Sequence, residues 1–265
     1  MSWQRIRAIA RRQRYVVQRS PHRSFDLTVW PVVDTMLFGS IAAYVAGSGS
    51  HDSTAARTAA YVFLGTVLWH VIYQAQIALS TGFLEETWSR NLLNLMVTPL
   101  REGEFVAGVA VFSLLKSLVG VTVVALTSAA LYSFNVTSLG LGLVPIFVLL
   151  TVVGWAIAMF VIGLVLRFGM GAEALAWGVM FVVMPLSGAF VPISALPKFI
   201  RPISLLLPTT HAFAAGRSLV DGAGTDWAQL RLAAVATVGA VALSTWFLLR
   251  MLRLFRKRGY VTRFS

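Results

Sequence analysis

Apolar residues fall into six long blocks along this chain, at roughly 26–47, 58–80, 105–133, 141–166, 172–192 and 228–250. Each is near or above the ~20 residues that an α-helix needs to cross a bilayer. The third and fourth are longer than that, which predicts tilt or extension beyond the hydrocarbon. The pattern predicts an all-α polytopic membrane protein with six transmembrane helices, making one transmembrane domain over 1–265. No pair of glycines has GxxxG spacing, so close helix pairing through that motif is not expected.

Three segments outside the blocks carry patterns of their own. In residues 1–23, Trp3, Ile6, Ile9, Ala10, Val16 and Val17 share one helical face, with Arg5, Arg7, Arg11, Arg12, Arg14 and Arg19 around it. Such a helix lies flat on an anionic leaflet. Between blocks two and three, Trp88, Leu92, Leu95 and Met96 repeat at helical spacing, while Glu85, Glu86, Ser89, Arg90 and Asn94 hold the other face. This short helix, 83–97, ends before Pro99. Two uses fit it: resting on the membrane surface, or presenting a Trp ringed by paired charges to a soluble partner. The third segment, between Met184 and Pro208, holds five of the nine prolines (Pro185, Pro192, Pro197, Pro202, Pro208). A spanning helix that meets Ser187-Gly188 and then Pro192 cannot continue, and the freed backbone groups must be satisfied inside protein or at a wet boundary. We expect the chain to stop, dip back and re-emerge over 185–224 as re-entrant helices between spans five and six.

Composition agrees with the pattern. Of 265 residues, 57% are hydrophobic and 12% charged, with a mean hydropathy of +0.77; soluble domains carry roughly 25% charged residues. The net charge of +12 raises the question of nucleic acid. The basic residues, however, flank the apolar blocks, so no nucleic-acid partner is expected. There is no cysteine, hence neither a disulfide framework nor a thiolate metal site. His70 has no carboxylate at ligand spacing, so no metal is expected. The first 23 residues hold seven arginines and lack the apolar run of a cleaved signal peptide.

With the N-terminus inside, sixteen Lys and Arg lie on inner segments and five on outer ones. That bias places both termini in the cytoplasm, in a multi-pass protein of the cell's inner membrane. It puts the 83–97 helix inside and the proline-rich run outside.

The loop pattern of acidic pair, Trp88-Ser89-Arg90-Asn91, Leu-rich turn and Thr98-Pro99-Leu100 resembles the stretch after the second span of ABC-2 type transporter permeases. So does the run Ser187, Gly188, Pro192, Pro197 followed by Leu207-Pro208. Together with the basic N-terminus and the six-span layout, the resemblance covers essentially the whole chain. It implies a type V ABC exporter-like half-transporter that pairs with a second copy of itself and binds two copies of a separate ABC ATPase subunit. ATP and Mg would be held by that partner, with no cofactor in this chain; no GxxxxGK[ST] occurs here. Residues 83–97 would be the coupling helix, with Glu85, Glu86, Trp88, Arg90, Asn91, Leu92 and Met96 as its ATPase-coupling residues. Residues 1–23 would be the connecting helix. The 185–224 region would cap the exit, with Ser187, Gly188, Pro192, Pro197 and Pro208 as gate residues.

Two ionisable groups stand inside the apolar blocks. At 1.5 Å per residue, Asp34 lies about 12 Å into the first span and Lys116 about 16 Å into the third. Similar depth permits an ion pair that pins the two spans, or a polar contact along a translocation path. An amphiphilic or hydrophobic cargo fits the apolar spans; a lipid-linked polysaccharide or lipo-oligosaccharide is the alternative. An ion-coupled secondary transporter would need more interior carboxylates and usually an internal repeat. An intramembrane enzyme would need a nucleophile–base pair or metal motif, and neither is present.

Overall fold

The structure is a computed structural model that describes residues 2–48, 53–88, 102–169, 172 and 174–257. Every regular element among them is helical. In chain order these are α1 (Trp3–Gln18), α2 (Pro21–Ser48), α3 (Ser53–Trp88), α4 (Glu102–Tyr132), a 3₁₀ segment (Val136–Gly142), α5 (Leu143–Phe168) and α6 (Ala174–Leu186). A short 3₁₀ turn (Ile193–Ala195), α7 (Arg201–Leu206), α8 (Pro208–Val220) and α9 (Trp227–Lys257) complete the series.

One helix is central. In the most hydropathic window of α3, 94% of residues are buried, against 22% for α2 and 17% for α9. α3 packs on α2, α4 and α5, and more lightly on α6 and α8. Its buried side chains include Leu64, Val71 and Ile72, which join Ile146 and Leu150 of α5 and Phe213 of α8 in the main core. In lipid there is little hydrophobic gain from helix pairing, so close backbone approach and interhelical hydrogen bonds carry more of the association. Both occur here. A Cβ on Gly154 of α5 would fall 2.7 Å from Ile72 O of α3, which only glycine avoids. Ser113 of α4 donates to Ala75 O of α3 at 2.9 Å and accepts from Trp155 Nε1 of α5 at 3.1 Å. One hydroxyl thereby joins three helices.

Among the described residues, five helices are long and apolar enough to cross a membrane, over Leu27–Gly47, Thr54–Glu85, Gly103–Tyr132, Val136–Phe168 and Trp227–Leu254. They correspond to expected spans one, two, three, four and six. In the expected fifth span, 172–192, the helix among the described residues is α6, 13 residues long. At 1.5 Å per residue that is about 20 Å, short of the ~30 Å hydrocarbon thickness. Pro185 sits in its last turn and the chain leaves the helix at Leu186, two residues before Gly188, whose φ is +71°. Glu173, beside the start of this segment, lies outside the described residues.

The basic N-terminal segment is helical, as its periodicity predicts, and α1 is not a separate element. It packs against α4, burying Ile6, Ile9 and Gln13. Gly108 of α4 makes the approach close, because a Cβ there would stand 2.6 Å from the Ile9 Cβ. Glu104, 1% exposed, accepts from Ser2 N at 2.7 Å and pairs with Arg5 at 3.3 Å, tying the first turn of α1 to the first turn of α4. Trp3, expected on the apolar face, is 65% exposed.

Candidate functional site

Three groups of residues are the candidates: the turn after α6, the polar side of α3, and the end of α3, which covers the first residues of the 83–97 segment.

The turn after α6 is built from the proline-rich run. Ser187 replaces lost helical hydrogen bonds. Its hydroxyl donates to Met184 O at 2.8 Å and accepts from Ala189 N at 3.2 Å. Gly188 then turns the chain through left-handed backbone, a conformation costing other L-residues about 1–2 kcal/mol. The next residues lie across two membrane helices. Ala189 O comes so near α3 that a Cβ on Gly65 would be 2.2 Å from it, and Phe190 stacks on Phe38 of α2 with centroids 4.3 Å apart. Pro192 precedes the 3₁₀ turn as its N-cap. Past Pro197, Arg201 closes the loop back on itself, donating from Nε to Leu196 O at 2.8 Å and from Nη2 to Ser194 O. Pro208 opens α8 at its first position, where its missing N–H costs nothing. Thr210 donates to Ser204 O at 2.6 Å, and His211 places its ring nitrogens 3.0 Å from Leu205 O and 2.9 Å from the Gln229 side chain. These contacts join α7, α8 and α9.

A cationic latch holds this turn. Arg217 of α8 donates through Nη1 and Nη2 to Gly188 O, at 2.9 and 2.5 Å. Its guanidinium lies over the Tyr61 ring of α3 at 5.9 Å. Tyr61 in turn donates to Asp221 at 2.7 Å, and Asp221 pairs with Arg57 at 3.3 Å. Burial lowers the Arg217 pKa from its ordinary value, opposed by Tyr61 and Asp221, but a guanidinium stays charged at neutral pH. Sequence reasoning singled out Ser187, Gly188 and the prolines and missed Arg217, Tyr61 and Asp221. Its usable signal was two arginines and an aspartate in segments counted as outer, where a basic excess is not expected.

The polar side of α3 faces α2 and α4. Asp34 of α2 places Oδ2 at 3.5 Å from His70 Nε2, long for a hydrogen bond. His70 Nδ1 lies 3.0 Å from Thr66 O, which can only accept, so Nδ1 carries a proton. One turn along α3, the Gln74 carboxamide is wholly buried and has no hydrogen-bond partner among the described residues. Lys116, expected opposite Asp34, is 7% exposed and lines a cavity between α1, α2 and α4. The contact seen for Asp34 is with His70, which sequence depth alone did not single out.

At the opposite end, α3 runs on as helix to Trp88. Glu85 is half-buried. The Glu86 and Trp88 side chains, and Arg90, Asn91, Leu92 and Met96, lie outside the described residues. No cluster of three or more His, Cys, Asp or Glu suited to a metal is present among the described residues.

The sequence model of the ABC-2 type transporter family matches residues 4–220, from the second residue of α1 to the end of α8. The chain belongs to the ABC-2 type transporter family. It is a multi-pass membrane permease component of an ABC transporter rather than a catalytic domain, and such permeases generally work with an ABC ATPase partner. No individual curated protein matches it in sequence. In this permease the matched region takes in the N-terminal helix, the 83–97 segment, the polar side of α3, and the turn after α6 with Arg217, and ends one residue before Asp221.

Proposed function

We propose that this permease is half of an ATP-driven exporter, pairing with a second copy and with two ATPase subunits, and moving an amphiphilic or hydrophobic compound outward. The observation that carries the reading is the position of α3. This single buried helix of 36 residues, about 54 Å long at 1.5 Å per residue, touches the latched turn through Tyr61 and Gly65. Its other end runs into the segment that resembles a coupling helix. A rigid, buried element between two ends is what is needed to bias an outer gate by a cytoplasmic binding event. Orphaned polar groups are expensive in a membrane interior. The buried Gln74 carboxamide therefore fits a resting arrangement whose interior is wetted in another state.

On this reading both termini are cytoplasmic, α6 belongs to the fifth of six crossings, and the turn after it forms the re-entrant cap with α7 and α8. ATP closes the partner subunits, and the coupling helix then binds them with a different free energy, as any ligand-driven switch requires. The test is reconstitution with the co-purified ATPase. Replacing Glu86 and Arg90 together (Glu86→Gln, Arg90→Gln) is expected to leave the complex expressed and basal ATP hydrolysis measurable while abolishing transport-linked stimulation. An unchanged coupled rate removes the coupling-helix assignment. Failure to co-purify any ATPase removes the exporter reading.

A further inference from the structure

The seam between α3 and α4 departs from the way hydroxyls are treated elsewhere in the membrane helices. There a hydroxyl commonly bonds back to the carbonyl four residues before it: Thr66 to Val62 O, Thr127 to Val123 O, Thr151 to Phe147 O and Thr237 to Ala233 O. Ser117 and Ser128 of α4 do not. Both are 0% exposed, and neither hydroxyl has a hydrogen-bond partner among the described residues. Ser113, Ser117, Gly120, Val124 and Ser128 follow at steps of four, three, four and four, which makes one stripe of α4. Ser113 and Gly120 set that stripe on α3, through Ala75 O and Gln74. From Ser113 to Ser128 it runs about 22 Å, most of the ~30 Å hydrocarbon.

Gln74 fills a slot in this stripe. A Cβ on Gly120 would stand 2.9 Å from Gln74 Cγ and 3.4 Å from its Cδ and Nε2, so the carboxamide lies against backbone that carries no side chain. Its oxygen and its nitrogen are both buried and unpartnered. An unpaired buried donor or acceptor is costly, the more so away from water in a membrane. Methionine would fill the same slot without that cost. The unpaired groups therefore do not hold α3 to α4; the Ser113 hydroxyl does, at the end of the stripe nearer Glu102.

We infer that the α3–α4 seam is a closed wall of the translocation path, with Gln74 stowed in the Gly120 slot. When the wall parts, the carboxamide and the Ser117 and Ser128 hydroxyls meet water or the polar part of the cargo. Their unpaired state raises the free energy of the closed seam and so lowers the work of opening it. Gln74 is thus a positioning residue for the switch. The inference deepens the exporter reading and rests on it.

The chain has no cysteine, so Ser117→Cys supplies a unique thiol in the seam. In the permease alone, in phosphatidylcholine nanodiscs, its reaction with a water-soluble methanethiosulfonate is expected to be slow. Gly120→Ala drives the Gln74 side chain from its slot and is expected to quicken the reaction roughly ten-fold. Adding Gln74→Ala empties the slot and is expected to bring the rate back to within about two-fold of the parent. No rise in Gly120→Ala, or a rise that persists in the double variant, overturns the stowed arrangement. Gln74→Met, which removes the unpaired groups, is expected to raise the melting temperature in detergent by roughly 2 °C or more. A value at or below the parent's also overturns it.

In the complex with the co-purified ATPase, ATP with vanadate is expected to quicken the Ser117→Cys reaction and to leave Ile146→Cys, in the main core, inert. Equal rates with and without nucleotide in an intact complex remove the seam from the path while the exporter reading stands. Failure to recover an ATPase counts against the exporter reading instead, and the two measurements on the permease alone then decide whether the seam parts.

Discussion

Removing the Arg217 latch tests how the turn after α6 is held. In Arg217→Met the side chain keeps most of its apolar stem but loses both donors to Gly188 O and the guanidinium that lies over the Tyr61 ring. Hydrogen bonds from a charged donor contribute roughly 1.5–3 kcal/mol each. Both here reach one carbonyl, and Arg217 is only half-buried. The combined loss is therefore nearer about 1–2 kcal/mol, a factor of roughly 5–30 in an equilibrium constant. The stacking of Phe190 on Phe38 and the seat of Ala189 against Gly65 remain, so the turn opens more often rather than unfolding. Ala189 is 3% exposed and the chain has no cysteine, which makes Ala189→Cys a clean reporter. Its labelling by a membrane-impermeant maleimide tracks the open fraction when reclosing is fast. The rate is expected to rise by that factor in the Arg217→Met background and to rise little with Arg57→Gln, which leaves the Gly188 contact intact. A rate within two-fold of the parent in Arg217→Met would refute the latch, and so would an equal rise in Arg57→Gln.

Gly188→Ala is expected to cost about 1–2 kcal/mol from left-handed backbone alone, read as a lower melting temperature in detergent with faster labelling at position 189. Gly108→Leu drives a side chain into Ile9 and is expected to detach α1; increased protease cleavage within residues 3–18 at an unchanged far-UV spectrum checks it. Ser113→Ala leaves the Trp155 indole N–H and Ala75 O without their shared partner. It is expected to destabilise the permease by about 1–3 kcal/mol, whereas Ser113→Thr retains most of the stability. Asp34→Asn is expected to leave transport dependent on ATP; loss of transport together with a lost dependence on an ion gradient would favour the secondary-transporter reading.

Hydrophobic periodicity was enough for the helical class, for five of the spans and for the amphipathic α1, because those depend on how many consecutive apolar residues a bilayer requires. The prolines and Ser187-Gly188 likewise mark where the apolar run after residue 172 must break, since a missing N–H and a left-handed turn are local properties. The length of α6 was not legible: the apolar composition continues past Pro185, and only the folded chain shows the helix ending at Leu186.

What stayed hidden was partner choice. Asp34 and Lys116 have similar depths on paper, but depth ignores the angle around each helix. The rotation of α2 against α3 brings Asp34 to His70, while α4 turns Lys116 to the cavity beside α1. Arg217 and Gly188 are 29 residues apart, Tyr61 and Asp221 160 apart. No spacing rule joins them. The sequence by itself determined a multi-pass helical membrane chain with a basic amphipathic start and a proline-broken segment, all set by backbone hydrogen bonding and transfer to lipid. Only the tertiary structure decided that α3 is the buried axis and that Arg217 holds the turn, because contact between distant residues is settled by how whole helices rotate and pack.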